Sequence, residues 1–120
     1  MIEINFFRNS EGSCPVEEFL DSLTSKQAQK VTWVMQLIEE LDKRVPKQYF
    51  KKLVDTDDIW EIRVQMGSNI FRILGFFVDK HIFIATNGFQ KKTDKTPDNE
   101  IVLAEKRKHE HIKLCRGKYE

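Results

Sequence analysis

Cysteine, proline and glycine are all scarce in this chain: two, three and five residues among 120. Cys14 and Cys115 stand far apart and match no zinc spacing. That argues against a disulfide scaffold and leaves two free thiols, as expected in a reducing cytoplasm. No apolar run is long enough to span a bilayer. Residues 1–12, MIEINFFRNSEG, lack a basic region followed by an apolar one, so no secretory signal is expected. No repeat, low-complexity tract or linker interrupts the chain. The three histidines, His81, His109 and His111, are scattered, and the last two point to different sides of an expected helix. Neither a metal site nor a nucleophile–base pair is expected.

What is present suits one soluble domain, residues 1–120, with a modest core: 40% hydrophobic and 32% charged residues. The net charge of +1 hides an asymmetry. Residues 1–42 carry three basic and eight acidic side chains, a net of −5, and the remainder carries 17 and 11, a net of +6. The basic part could face an anionic partner such as nucleic acid. For any single cluster, solvated charge is the ordinary alternative.

The pattern predicts an α+β chain. Residues 2–7, IEINFF, read as a first strand, and Pro15 opens a short helix through Leu23. A second helix starts near Thr24, with Gln27 as capping-box partner. It carries its stripe on Ala28, Val31, Val34, Met35, Ile38 and Leu41, and Pro46 ends it. Ile59 to Met66 alternates as a half-buried strand. Ile70 to Val78 is apolar on both faces except Arg72, which places it centrally. His81 to Asn87 is a third strand of this group. A last helix runs from about Pro97 to Leu114, with Thr96 as N-cap.

Gly67-Ser68 suits a two-residue type II′ hairpin, which pairs Met66 with Asn69, Val64 with Phe71 and Ile62 with Ile73. Arg63 then faces Arg72 directly. A three-residue turn would put Arg72 among the core residues, so it is rejected. Like charges opposite each other destabilise a sheet, so an anion is expected between them. A two-residue Asp79-Lys80 turn pairs Phe77 with Ile82 and Arg72 with Asn87, giving a row Arg63, Arg72, Asn87. The lysines of GFQKKTDKTP (Lys91, Lys92 and Lys95) then leave the sheet beside Arg72.

Each candidate has a plainer alternative. Arg63 can be a solvated strand residue, and Arg72 can form an ion pair with Glu61 or Asp94. Leu74, Phe76 and Phe83 share the expected arginine face as core under a helix or as a docking surface. In YFKKL, Lys51 and Lys52 add cations, and Tyr49 or Phe50 could stack on bases or join the core. A cationic site stabilises a phosphorane-like transition state. RNA brings its own 2′-hydroxyl nucleophile, and a lysine among cations can serve as general base, because like charges disfavour its ammonium form.

The stretches CPVEEFLDSL, YFKKL, IWEIRVQMGSNIFRILGFF and NGFQKKTDKTPDNEIVLAEKRK resemble the RelE/ParE toxin superfamily, and most closely its phage-derived HigB-like branch, over about residues 1 to 112. The resemblance implies a RelE-like fold: about four antiparallel strands, two N-terminal helices on one face and a C-terminal helix. It implies the toxin of a type II toxin–antitoxin pair, a ribosome-dependent mRNA endonuclease (mRNA interferase) leaving a 2′,3′-cyclic phosphate. Arg72 matches the family's phosphate-contacting arginine, Arg63 a basic residue of the preceding strand, and Lys91 or Lys92 a basic residue after the last strand. Glu61 stands where RelE has a lysine, and no tyrosine matches near Lys95 or Pro97. Glu61 is therefore a candidate base or an ion-pair partner. Lys51, Lys52, Lys95, Tyr49 and Asn87 become candidate RNA contacts, and Leu74, Phe76 and Phe83 candidate antitoxin contacts. The implied partners are a helix-turn-helix HigA-like antitoxin and mRNA in the ribosomal A site. The toxin alone would be a cytoplasmic monomer needing no cofactor or metal. The alternatives are a ParE-like gyrase inhibitor and an inert antitoxin-binding module.

Overall fold

The computed structural model describes residues 1–92 and 95–119, with side chains through Cys115. It is a mixed α+β structure. In chain order the elements are β1 (Glu3–Phe6), α1 (Pro15–Asp21), α2 (Ser25–Leu41), β2 (Phe50–Lys52), β3 (Trp60–Met66), β4 (Asn69–Phe77), β5 (Ile82–Lys91) and α3 (Asp98–Tyr119). Five strands form one sheet in the order β1-β5-β4-β3-β2. Two features depart from the expected four antiparallel strands. YFKKL contributes the edge strand β2, and β1 runs parallel to β5. That parallel pair joins residues about 80 apart, with α1, α2 and the other three strands between them in the chain, a pairing that local alternation does not reveal.

Helix α2 begins as its sequence dictates. Thr24 and Gln27 form a reciprocal capping box, and Val31, Val34, Met35 and Ile38 are buried. It ends at Leu41, before Pro46, because Asp42 takes a left-handed φ of 56° and breaks the hydrogen-bond ladder. Helices α1 and α2 cover one face of the sheet over Phe50, Ile62, Val64, Phe71, Ile73 and Phe83. Helix α3 covers part of the other face, over Leu74, Phe76 and Ile84, with Ala104 and Ile101 turned inward. Burying each such Phe, Leu or Ile contributes roughly 1.5–3 kcal/mol over leaving it in water.

The β3–β4 register agrees with the hairpin reading. Gly67 has φ +61°, Met66 faces Asn69, and Arg63 faces Arg72. The β4–β5 register differs from the expected one. Asp79 Oδ1 accepts hydrogen bonds from the backbone of His81 and Ile82, making the turn longer, so Phe77 pairs with Phe83. This one-residue slip turns Phe83 to the α1–α2 face. A bulge between Leu74 and Gly75 then adds one residue on β5 and restores the original facing, so Leu74 pairs with Asn87 and Arg72 with Phe89. The row across the sheet is Arg63, Arg72, Phe89 rather than Arg63, Arg72, Asn87.

Gly75 sits at this bulge, where an added Cβ would run into the Ile84 carbonyl and the Phe83 ring. Gly75→Ala is expected to destabilise the chain by about 1–3 kcal/mol, as overpacking of a tight core does. Urea unfolding checks this, and an unchanged midpoint would show that the bulge relaxes freely.

Candidate active site

The arginines come from neighbouring strands on the face that α3 only partly covers. Arg72 is 7% exposed and Arg63 31% exposed. The anion expected between them is supplied by the chain itself. Glu61, 3% exposed, places Oε1 3.4 Å from Nε of Arg63 and 3.4 Å from Nε of Arg72. Arg72 Nη1 also donates to the Phe71 carbonyl at 2.9 Å. Two like charges that would repel across the hairpin are thus bridged by one carboxylate. Asp94, the other candidate partner of Arg72, lies outside the described residues, as does Thr93 of the lysine loop.

The second oxygen of Glu61 accepts a hydrogen bond from the Thr96 hydroxyl. By its place before Pro97, that hydroxyl is expected to cap α3. Instead α3 starts at Asp98, the Pro97 carbonyl accepts its first backbone bonds, and Thr96 ties the helix start to the arginine site. Nothing in the local sequence signals this, because Glu61 is 35 residues away. The N-terminus of α3 adds partial positive charge beside the site.

Lys91 is 6% exposed and pairs with Ile70, one step diagonally from Arg72 on the same face. The bulge puts it there, since without it the parity of β5 would turn Lys91 to the other face. Lys92 lies past the strand and is exposed, as is Lys95 at the mouth of the adjoining groove. Lys51 pairs with Glu61 across β2–β3 and lines that groove. The Arg63 and Arg72 side chains also line a separate 140 Å³ cavity with Gln48 and Gln65.

Several expected site residues lie elsewhere. Lys52 alternates away from Lys51 and pairs with Asp58 at 2.9 Å. Tyr49 packs against Trp33 and the α1–α2 core, and the Phe50 ring is buried there too, so neither ring reaches the arginine site. Asn87 is 3% exposed, and its Nδ2 donates to Glu100 of α3. Leu74, Phe76 and Phe83 are not an exposed docking surface: each is at most 1% exposed. Leu74 and Phe76 lie under α3, and Phe83 lies in the opposite core. The apolar surface they would have offered a partner is covered by the chain's own helices.

Residues 18–109 match the family described as phage derived protein Gp49-like (DUF891). The chain belongs to the Gp49-like family. A search of curated proteins finds no match. The matched span of the Gp49-like chain holds every site residue named above, from Gln48 to Glu100.

Helix α3 of the Gp49-like chain is held down by polar ties. Arg107 donates to the Thr86 carbonyl at the bulge, at 2.9 Å, and burial lowers its pKa below the ordinary arginine value. His111 packs edge-on to Phe76 and lies 3.4 Å from Cys115 Sγ. Cys14 and Cys115 are both free. Burial lowers the His111 pKa from its ordinary 6.5, so the folded state prefers the neutral ring. The stability His111 contributes is therefore present above about pH 6.5 and lost as pH falls toward its lower folded value. His111→Phe should lose less thermal stability than wild type between about pH 7.5 and about pH 5. Equal losses would mean that His111 does not titrate with folding. Among the described residues, no three His, Cys, Asp or Glu side chains gather as a metal site. No helix among them is long and apolar enough to cross a membrane.

Proposed function

We propose that the Gp49-like chain is the toxin of a type II toxin–antitoxin pair and cleaves mRNA on the ribosome. The observation that carries this reading is the convergence of Arg63 and Arg72 on the carboxylate of Glu61, with Lys91 diagonal to Arg72 on the same face of the sheet. Cations in fixed, partly desolvated positions suit the charge that develops on a phosphate during transfer. RNA supplies the nucleophile: its 2′-hydroxyl attacks the adjacent phosphorus, the P–O5′ bond breaks, and a 2′,3′-cyclic phosphate and a 5′-hydroxyl result. In this reading the incoming phosphate takes over the guanidinium groups that Glu61 holds in place. The family match and the resemblance to RelE-type toxins in IWEIRVQMGSNIFRILGFF and NGFQKKTDKTPDNE support it, as does a five-stranded sheet flanked by helices, taken as a RelE-like fold. The reading places the chain in the cytoplasm, paired with a helix-turn-helix antitoxin of the HigA kind.

The experiment is a translation extract with reporter mRNA, probed by primer extension. Codon-phased cuts are expected. Intact mRNA would overturn the reading, and a parallel loss of gyrase supercoiling would move the chain to the gyrase inhibitors that share this superfamily.

A further inference from the structure

A groove of about 560 Å³ extends from the arginine site and shares Glu61 and Arg63 with it. Its floor is Lys51, Glu61 and Arg63 on the sheet; its walls are the loop from Leu53 to Thr56 and, opposite, Lys95 and Thr96 with the first turn of α3, from Asp98 to Val102. That volume lies within the roughly 300–1,000 Å³ of small-ligand sites. The two walls bring apolar groups to face it: Leu53 and Val54 from the loop, Ile101 and Val102 from the helix. Val54 is 81% and Val102 62% exposed, and core packing explains neither. The acidic groups Asp55 and Asp98 stand on the same walls. With Glu61 they balance the cations Lys51, Arg63 and Lys95 of the same lining, so the groove carries no net charge and suits a neutral ligand with apolar faces and a polar edge, joined to an anion at Arg63.

The loop is built to stay in place. Asp55 and Asp58 both hold left-handed backbones, with φ of 57° and 54°. Residues kept in such conformations cluster at binding sites, where surrounding contacts enforce them. Here the Thr56 hydroxyl donates to the Leu53 carbonyl at 2.9 Å and accepts from Ile59 N at 3.1 Å. Asp57 fixes the loop to α3: its carboxylate meets Lys108 at 3.4 Å and His109 at 3.1 Å, and its backbone N–H donates to Glu105 at 2.9 Å. The two walls thus form one preformed slot.

We propose that this groove is a nucleobase subsite, resting on the RNA-cleaving reading. It takes the base next to the phosphate at Arg63 and Arg72, with Val54 and Val102 against its faces and Asp55 and Asp98 at its edge. A carboxylate only accepts hydrogen bonds. It therefore favours bases with an exocyclic amino group, namely adenine, cytosine and guanine. Uracil offers one N–H flanked by two carbonyl oxygens that the carboxylate repels.

The test is calorimetric titration of the purified chain with inorganic phosphate and with the four ribonucleoside monophosphates. Adenosine, cytidine and guanosine monophosphates should bind about tenfold tighter than phosphate, equivalent to about 1.4 kcal/mol, and uridine monophosphate weaker than all three. The double variant Val54→Ser, Val102→Ser, at two exposed positions, should lose that increment and keep phosphate affinity. Asp55→Asn with Asp98→Asn should raise uridine monophosphate toward the others, since an amide both donates and accepts. Nucleotides binding no tighter than phosphate, or an increment untouched by the valine variant, would overturn the proposal. An absence of mRNA cleavage with base-selective binding intact would instead remove the activity and leave the subsite.

Discussion

Alanine in place of Arg72 is expected to lower mRNA cleavage about 100- to 1,000-fold, the loss that follows removal of one fixed donor from a developing charge. Arg72 is the more buried of the two arginines, so its charge acts with little screening. Arg63→Ala should cost less, because its guanidinium is partly in water. Arg72→Lys separates charge from geometry: it retains a cation for Glu61 but loses the planar fork that can grip two phosphate oxygens. We expect Arg72→Lys to fold and still cleave poorly. Primer extension gives the rates, and circular dichroism shows whether each variant is folded. Cleavage at the wild-type rate by a folded Arg72→Ala protein would remove Arg72 from the chemistry.

Removing Glu61 should have the largest effect on stability. Glu61→Ala leaves Arg63 and Arg72 opposed across β3 and β4 with their shared counter-charge gone. Breaking a buried ion pair costs about 3–5 kcal/mol. The low end, about 3 kcal/mol, is expected here because water screens Arg63 in part. The Tm should fall by about 10 °C. Phosphate in the buffer should recover more of that loss in Glu61→Ala than it adds to wild type, since an anion can take the vacated place. A variant as stable as wild type, or one indifferent to phosphate, would show that Glu61 does not bridge the arginines. If phosphate restores the fold of Glu61→Gln but cleavage, assayed once the phosphate is removed, stays absent, Glu61 has a part in proton transfer beyond orienting the guanidiniums.

The two halves of the site were unequally legible in the sequence. The pairing of Arg63 with Arg72 could be read directly, because a two-residue Gly67-Ser68 turn and strict alternation in β3 leave one register that buries the apolar face. The same logic predicted an anion between the arginines, and Glu61 is two residues from Arg63 on the same face. The choice between Lys91 and Lys92 could not be read. It depends on the long Asp79 turn and on the bulge opposite Leu74 and Gly75, each of which reverses the facing of β5 once. The expected exposure of Leu74 and Phe76 failed for a related reason. Leu74 and Phe76 are exposed in an isolated sheet and buried once α3 docks.

What the sequence determined by itself was local: the capping box of α2, the tight hairpin, and the arginines it sets face to face. Each depends on residues within a turn of one another or on strict two-residue alternation. The tertiary structure alone decided where α3 lies. Its docking through Arg107, Glu100 and Thr96 buries Asn87, engages Glu61 and walls the groove, by contacts between residues 13 to 35 positions apart. Such pairings follow from packing two faces of a sheet against helices, and no local pattern carries them.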